Sequence, residues 1–379
     1  MNSIERVQAA LRFQCPDRVP VWKAGLGDVL PLPMLPAKSW QPGHAPHERG
    51  LFPFVGDDTV VRWRLWRWRR PEWAQFSAFR DYLRLPREEV DEWGAIWMRE
   101  GRNRTMGHPG RPVLTSWDDF DLYLRRYQPH VEDRSRYAVA LAYNRVVGPR
   151  RYRVANLWFQ GPFTAAMGIR GFNNFMTDHH LHPEELRRLL DHITDKFVRA
   201  MRAWVAFGAR PHAFAIYDDL ADQNRSFLNP TMFREFYRPV FKTMIDEAHA
   251  LGCDFIFHSC GKIDALIPVL LEWGIDALEL DSPRMTGFPA LAPFRGRVMI
   301  WGCVDIQTIY TRATPEAVER EVRDMVRNLG TESGGFGAYI YPQPYHIQAP
   351  PENVKAFMRG IEKYGDYSRL EPGFWEDRS

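Results

Sequence analysis

The stretch DFIFHSCGKID, residues 254–264, ends an apolar run with an imidazole and a thiol two positions apart, His258 and Cys260. In an extended chain, side chains i and i+2 project to the same side, so this pair can meet one ligand. Imidazole nitrogen and thiolate sulfur are both zinc donors. A catalytic zinc takes three protein ligands and leaves a position for substrate. The ion acts as a Lewis acid and lowers the pKa of what it binds. Cys303 ends a later apolar run, VMIWGC, and His346 follows the last one, so either can supply a third donor. The plain alternative is that His258 hydrogen-bonds in the core and the thiols are small packing residues.

These residues act together only if the fold gathers them. From about residue 150 short apolar runs alternate with amphipathic helices. The strands read 152–159, 212–219, 254–259, 277–280, 298–303 and 337–342. Between them, NPTMFREFYRPVFKTMIDEAHALG starts with Asn229 as cap and Pro230 at the first turn and stops at Gly252, and TPEAVEREVRDMVRNLG repeats the recipe with Thr314, Pro315 and Gly330. SIERVQAALRF is a further helix and RVPVW a strand near the start. Strand–helix alternation with apolar runs indicates a parallel sheet. Six units plus one or two near the start favour an α/β fold, a closed (β/α)8 barrel, over an open doubly wound sheet. No glycine-rich dinucleotide motif follows the first strand. The chain is read as one barrel domain over 1–379, with regular units over 150–365. Residues 28–135 are an N-terminal elaboration, in which EEVDEWGAIWMREG reads as a hairpin and TSWDDFDLYLRRY as a short helix capped at Thr115 or Ser116.

Chemistry in such a barrel sits at the strand C-termini. That end offers Tyr217, Asp218 and Asp219, His258 and Cys260, Glu279 and Asp281, Cys303 and Asp305, and Tyr341. Tyr217, Asp218 and Glu279 are the candidates for moving protons or orienting substrate. Trp22, Lys23, Trp158, Gln160, Gln343 and His346 are the candidates for contacting it. Adjacent strand residues point opposite ways, so Asp218 and Asp219 should divide: one faces the mouth, the other bonds backbone or a helix N-terminus. Cys260 and Cys303 lie one intervening strand apart, roughly 10 Å at normal strand spacing, a long reach for two thiols.

Net charge is +3, from 50 basic and 47 acidic residues, which argues against a general nucleic-acid binder. The Arg–Trp run from Arg62 to Trp73 reads as a packed extension with Arg stacked on aromatic rings. Four cysteines make no disulfide framework, and Cys15 and Cys253 read as packing residues. The start lacks a signal-peptide core and no segment approaches 18 apolar residues, so a cytoplasmic, non-membrane protein with reduced thiols is expected. EAHALG, with its Glu247, resembles a corrinoid-binding signature but sits in a periodic helix; it reads as helix surface and stop.

Taken together, YDDLADQNRSFLNPTMFREFYRP, FHSCGKIDALIPVLLEWGIDALE, IWGCVDIQTIY and APPENVKAF, with RVPVW, DEWGAIW and RPVLTSWDDFDLY before them, resemble the uroporphyrinogen decarboxylase superfamily, closest in character to its zinc-dependent, corrinoid-linked methyltransferase branch. The resemblance implies a (β/α)8 barrel with its cleft at the strand C-termini. Decarboxylases of the family carry an Arg-Gln-Ala-Gly-Arg block after the first strand. This chain has WKAGLGD there, with Lys23 and no arginine pair, so uroporphyrinogen is not the expected substrate. The methyltransferases use His-x-Cys and a later Cys on zinc. His258 and Cys260 match the first two, while the place of the last, YPQPYHIQAPPENV, holds no Cys, leaving Cys303 or His346 to complete the set. The resemblance thus implies zinc-assisted methyl transfer or demethylation of a small methylated substrate, an aryl methyl ether among the candidates. It also implies a corrinoid on a separate partner protein, and it allows a homodimer. The alternatives are a decarboxylase or lyase on a small acid held by Lys23, Arg170 or Arg284, and a non-catalytic barrel that binds a corrinoid or tetrapyrrole.

Overall fold

Short buried strands alternating with helices over the second half of the chain leave the backbone few choices of partner. The computed structural model describes residues 1–23, 27–35, 87–99, 108–158, 160–342, 344 and 347–376. The strands among them, in chain order, are β1 Val21–Trp22, β2 Val29–Leu32, β3 Arg87–Val90, β4 Ile96–Arg99, β5 His108–Pro109, β6 Tyr152–Asn156, β7 Ala213–Tyr217, β8 Asp254–His258, β9 Ala277–Leu280, β10 Met299–Gly302 and β11 Phe336–Tyr339. Eight form one sheet in the order β1-β11-β10-β9-β8-β7-β6-β2. Every pairing in it is parallel. With its helices the sheet makes a nearly closed (β/α)8 barrel, the fold the alternation predicted.

The chain divides into two compact units, and all eight barrel strands belong to the first, Met1–Pro33, Val139–Trp158 and Trp204–Ser379. Its helices begin where the sequence signals them. Asn229 caps Pro230–Ala250 by accepting from Met232 N at 3.0 Å, and Thr314 caps Pro315–Leu329. Inside the barrel Trp22 meets Trp301 and Tyr339 edge to face, with centroids 5.5 and 5.4 Å apart. Gly337 is the register partner of Trp301, and any side chain there would collide with the indole. Aromatic rings therefore fill the barrel centre as a packed floor.

The strand Val29–Leu32, the second of the N-terminal strands in the sheet, lies inside the stretch 28–135 read as elaboration. Four residues with Pro31 among them give little strand signal. Proline is tolerated because β2 stands at the end of the hydrogen-bonded order. Between β2 and β1 the junction is made by Asp28, which is 2% exposed. Its N–H donates to Val21 O at 2.6 Å. Its carboxylate accepts from Val21 N at 2.9 Å, Ser3 Oγ at 2.9 Å and Arg6 Nη1 at 2.6 Å, and pairs with Arg18. Cys15, expected to pack, is exposed, with φ 51°; Cys253 is buried, its thiol donating to Pro211 O.

The second unit comprises Met34–Ala138 and Phe159–Ala203. It contains the antiparallel hairpin of β3 and β4, extended by β5, and the short helix Phe120–Arg126 after a turn capped by Ser116. Trp93 stacks on Phe197 at 6.2 Å, and Arg136 pairs with Glu92 in its interior. The Arg62–Trp73 run lies outside the described residues. No helix among the described residues is long and apolar enough to cross a membrane.

Replacing Asp28 with Ala removes the carboxylate that joins β1 to β2 and strips Arg6 of a buried partner. The expected loss is on the order of 3–5 kcal/mol in urea unfolding; an unchanged midpoint would show that the junction is held by other contacts.

Candidate functional site

Strand register builds the centre of the site. Tyr217 pairs with His258, His258 with Glu279 and Glu279 with Trp301 across four consecutive strands. Register partners in a parallel sheet project to the same face, so these side chains form a row. The Tyr217 ring lies 5.1 Å from the His258 ring, and its hydroxyl meets Asn156 Oδ1 at 3.4 Å. Glu279 Oε2 bonds His258 Nδ1. Both are buried, Glu279 at 1% and His258 at 8% exposure. With Nδ1 engaged, Nε2 is the nitrogen left to face a ligand, the usual way a carboxylate orients a metal-binding imidazole.

Two loops then bring in the remaining donors. The chain after β7 and the chain after β8 run side by side, joined by Asp218 N to His258 O at 3.0 Å, Leu220 N to Ser259 Oγ at 3.1 Å, Cys260 N to Asp219 Oδ1 at 3.0 Å and Lys262 N to Asp222 O at 2.8 Å. Gly261 permits the approach. It has φ +82°, and an added Cβ would lie 2.7 Å from Asp222 O and closer still to Ala221 O. Cys260 Sγ comes to 3.5 Å from His258 Nε2, and Asp219 Oδ1 to 3.7 Å. Donors at zinc bond lengths of about 2.0–2.3 Å in a tetrahedron stand roughly 3.3–3.8 Å apart, so these separations fit one ion. Among the described residues two donor groups have atoms within 4.8 Å of one another: Asp219, His258 and Cys260, and His258, Glu279 and Asp281.

The charge balance points the same way. Burial disfavours a charged His258, but Glu279, with Asp281 and Asp219, outweighs it and raises the imidazolium to about 10. Burial pushes Glu279 up to about 7 against the pull of His258, and burial also raises Asp281. Burial, then Asp219 and Asp281, holds the Cys260 thiol well above its ordinary range; it donates to Asp281 Oδ2 at 3.5 Å. Three carboxyls and a thiol around one imidazole are what a divalent cation would relieve.

Not every predicted residue joins this group. Asp218 is fully buried, and burial together with its charge raises the Tyr237 phenol. Its neighbour Asp219, 51% exposed, meets His258 and Cys260. Cys303 is fully buried two strands away from β8, its sulfur against the Tyr341 backbone; burial and then Asp281 raise its thiol. It joins neither donor group. Trp22 belongs to the packed floor. Lys23 lines another cleft, of about 460 Å³, with Arg18, Asp28, Glu362 and Arg369. Trp158 is half-buried just past β6, and Gln160 is buried in the second unit. Gln343 and His346 lie outside the described residues. Asp219 and Asp281 were visible only as two of many strand-end polar residues. The doubled acid after β7 was the one available signal.

The family model for uroporphyrinogen decarboxylase (URO-D) matches residues 157–364, more than half of the chain. The chain belongs to this family. A methylated-thiol–coenzyme M methyltransferase of Methanosarcina mazei is 26% identical over 214 residues, 55% of this chain and 54% of that protein. A uroporphyrinogen decarboxylase of Synechococcus sp. is 28% identical over 181 residues, 47% of each chain. The URO-D chain described here thus spans about half the length of the curated relatives it matches. A solved methyltransferase from Methanosarcina mazei superposes with TM-score 0.61 at 16% identity, over 96% of this chain and 99% of that one; it shares the fold.

Gly261→Ala should separate the two loops without removing any donor. The strained φ and the collision with the Ala221 and Asp222 carbonyls predict a loss of about 1–3 kcal/mol in urea unfolding. A midpoint equal to that of the native protein would mean that the loops do not depend on this close approach.

Proposed function

We propose that this URO-D protein is a methyltransferase that holds zinc through His258 and Cys260. One observation carries the reading: Glu279 occupies Nδ1 of His258 while Nε2 faces Cys260 Sγ at 3.5 Å. The methylated-thiol methyltransferase relative supports a small methylated substrate, a methylated thiol or an aryl methyl ether. The resemblance of the chain supports a corrinoid on a separate protein as the other methyl carrier. In the transfer, the donor's carbon–sulfur or carbon–oxygen bond breaks, its heteroatom keeps the electron pair and takes up a proton, and a new bond forms from the methyl carbon to the acceptor. When bound, zinc supplies Lewis acidity to the heteroatom that gives up or receives the methyl group.

The chain's own residues do the rest. Glu279 fixes the His258 ring and its tautomer. Asp281 accepts the Cys260 proton, which must leave before sulfur becomes a ligand. Tyr217 packs its ring against His258 and limits where a substrate can lie. A decarboxylase needs a free cation for its substrate's carboxylate. Arg170 is bound to Asp178 at 2.7 Å and to Leu114 O, and Arg284 is paired with buried Glu321. Both are thus committed to structural partners, and Lys23 lines the other cleft.

The test is a donor panel with free cob(I)alamin as surrogate acceptor, followed by its absorbance. Methylated thiols or aryl methyl ethers should give methylcobalamin in a zinc-dependent reaction, lowered on the order of 100-fold or more in Cys260→Ser. No transfer from any donor, with carbon dioxide release from small acids instead, would favour the decarboxylase.

A further inference from the structure

The His-x-Cys pair supplies two donors, and among the described residues the third has three candidates: Cys303, Asp281 and Asp219. Position separates them. Because Glu279 holds Nδ1, any ion shared with His258 lies on the Nε2 side. Among the described residues, the donor groups that approach Nε2 are Cys260 Sγ at 3.5 Å and Asp219 Oδ1 at 3.7 Å. Asp281 instead contacts the sulfur, at 3.5 Å. Cys303 joins neither donor group and sits on β10's end, with β9 between it and His258. Asp219 is also held in place from the backbone. Its Oδ1 accepts the Cys260 N–H at 3.0 Å, so the same loop contact that sets the thiol sets the carboxylate.

We propose that Asp219 is the third protein ligand, so that the site binds its ion through one imidazole, one thiolate and one carboxylate instead of through two thiolates. This inference rests on the zinc reading above and concerns which atoms complete it. Two consequences follow. The donor set is harder than one with two sulfurs. The ligand most open to solvent would be the carboxylate, with 51% of its side chain exposed, while His258 and Glu279 are buried, so a substrate would reach a bound ion from the Asp219 side.

The test uses the full chain, stripped of metal and titrated with zinc chloride against a competing chelator. A parallel titration with cobalt(II) uses thiolate-to-cobalt absorption to report sulfur ligands. The native protein should bind one zinc. Asp219→Asn should weaken binding tenfold or more yet keep the thiolate absorption at saturating cobalt. Cys303→Ser should match the native protein in both readings, and Cys260→Ser should lose the absorption. Asp219→Ser, also without a donor of comparable strength, replaces the Asn variant if circular dichroism shows that one unfolded. Native affinity in both Asp219 variants, or absorption halved in Cys303→Ser, would overturn the assignment. Absence of zinc from the native protein, or native affinity in Cys260→Ser, would overturn the zinc reading itself and the assignment with it.

Discussion

A carboxylate and an imidazole buried side by side on adjacent strands lose most of their hydration, and each is tolerable only because the other answers it. Glu279 and His258 are such a pair, 1% and 8% exposed. The pair fixes which nitrogen faces outward, and so decides on which side of the ring a ligand can sit. It rests in turn on the row of register partners from Tyr217 to Trp301 and on the aromatic floor of Trp22, Trp301 and Tyr339. A one-residue slip of β8 or β9 would send one member to the opposite face and leave the other charge buried alone.

The surplus of negative charge around this pair shapes what the site can take. Glu279, Asp281 and Asp219 surround a single imidazole, and burial raises the first two carboxyls and holds the Cys260 thiol well above its ordinary range. As a neutral thiol, Cys260 is a weak nucleophile and a weak ligand. A cation reverses both properties at once, which is why a metal suits this cluster and an anionic substrate carboxylate does not. A shared barrel does not fix the reaction; the groups at the site do.

Much of this was legible in the chain. Asn229-Pro230 and Thr314-Pro315 announced their helices because capping is local, set by residues three or four apart. His258 and Cys260 could be placed on one side of a strand end by alternation alone. What escaped was non-local. Asp219 meets Cys260 across 41 positions of sequence, through two loops whose alignment depends on Gly261, and no spacing rule reports that. The strand Val29–Leu32 escaped because it is short, contains Pro31 and owes its place to Asp28, a neighbour whose role appears only when Arg6 and Val21 are brought together. Cys303 had the right chemistry at a strand end, but the intervening β9 leaves it out of both donor groups.

Anomalous diffraction at the zinc absorption edge, on crystals of zinc-loaded protein, tests the central claim most directly. The account predicts a single peak bonded to Nε2 of His258 and Sγ of Cys260, with Nδ1 still held by Glu279. A peak elsewhere, or none at this position, would contradict it.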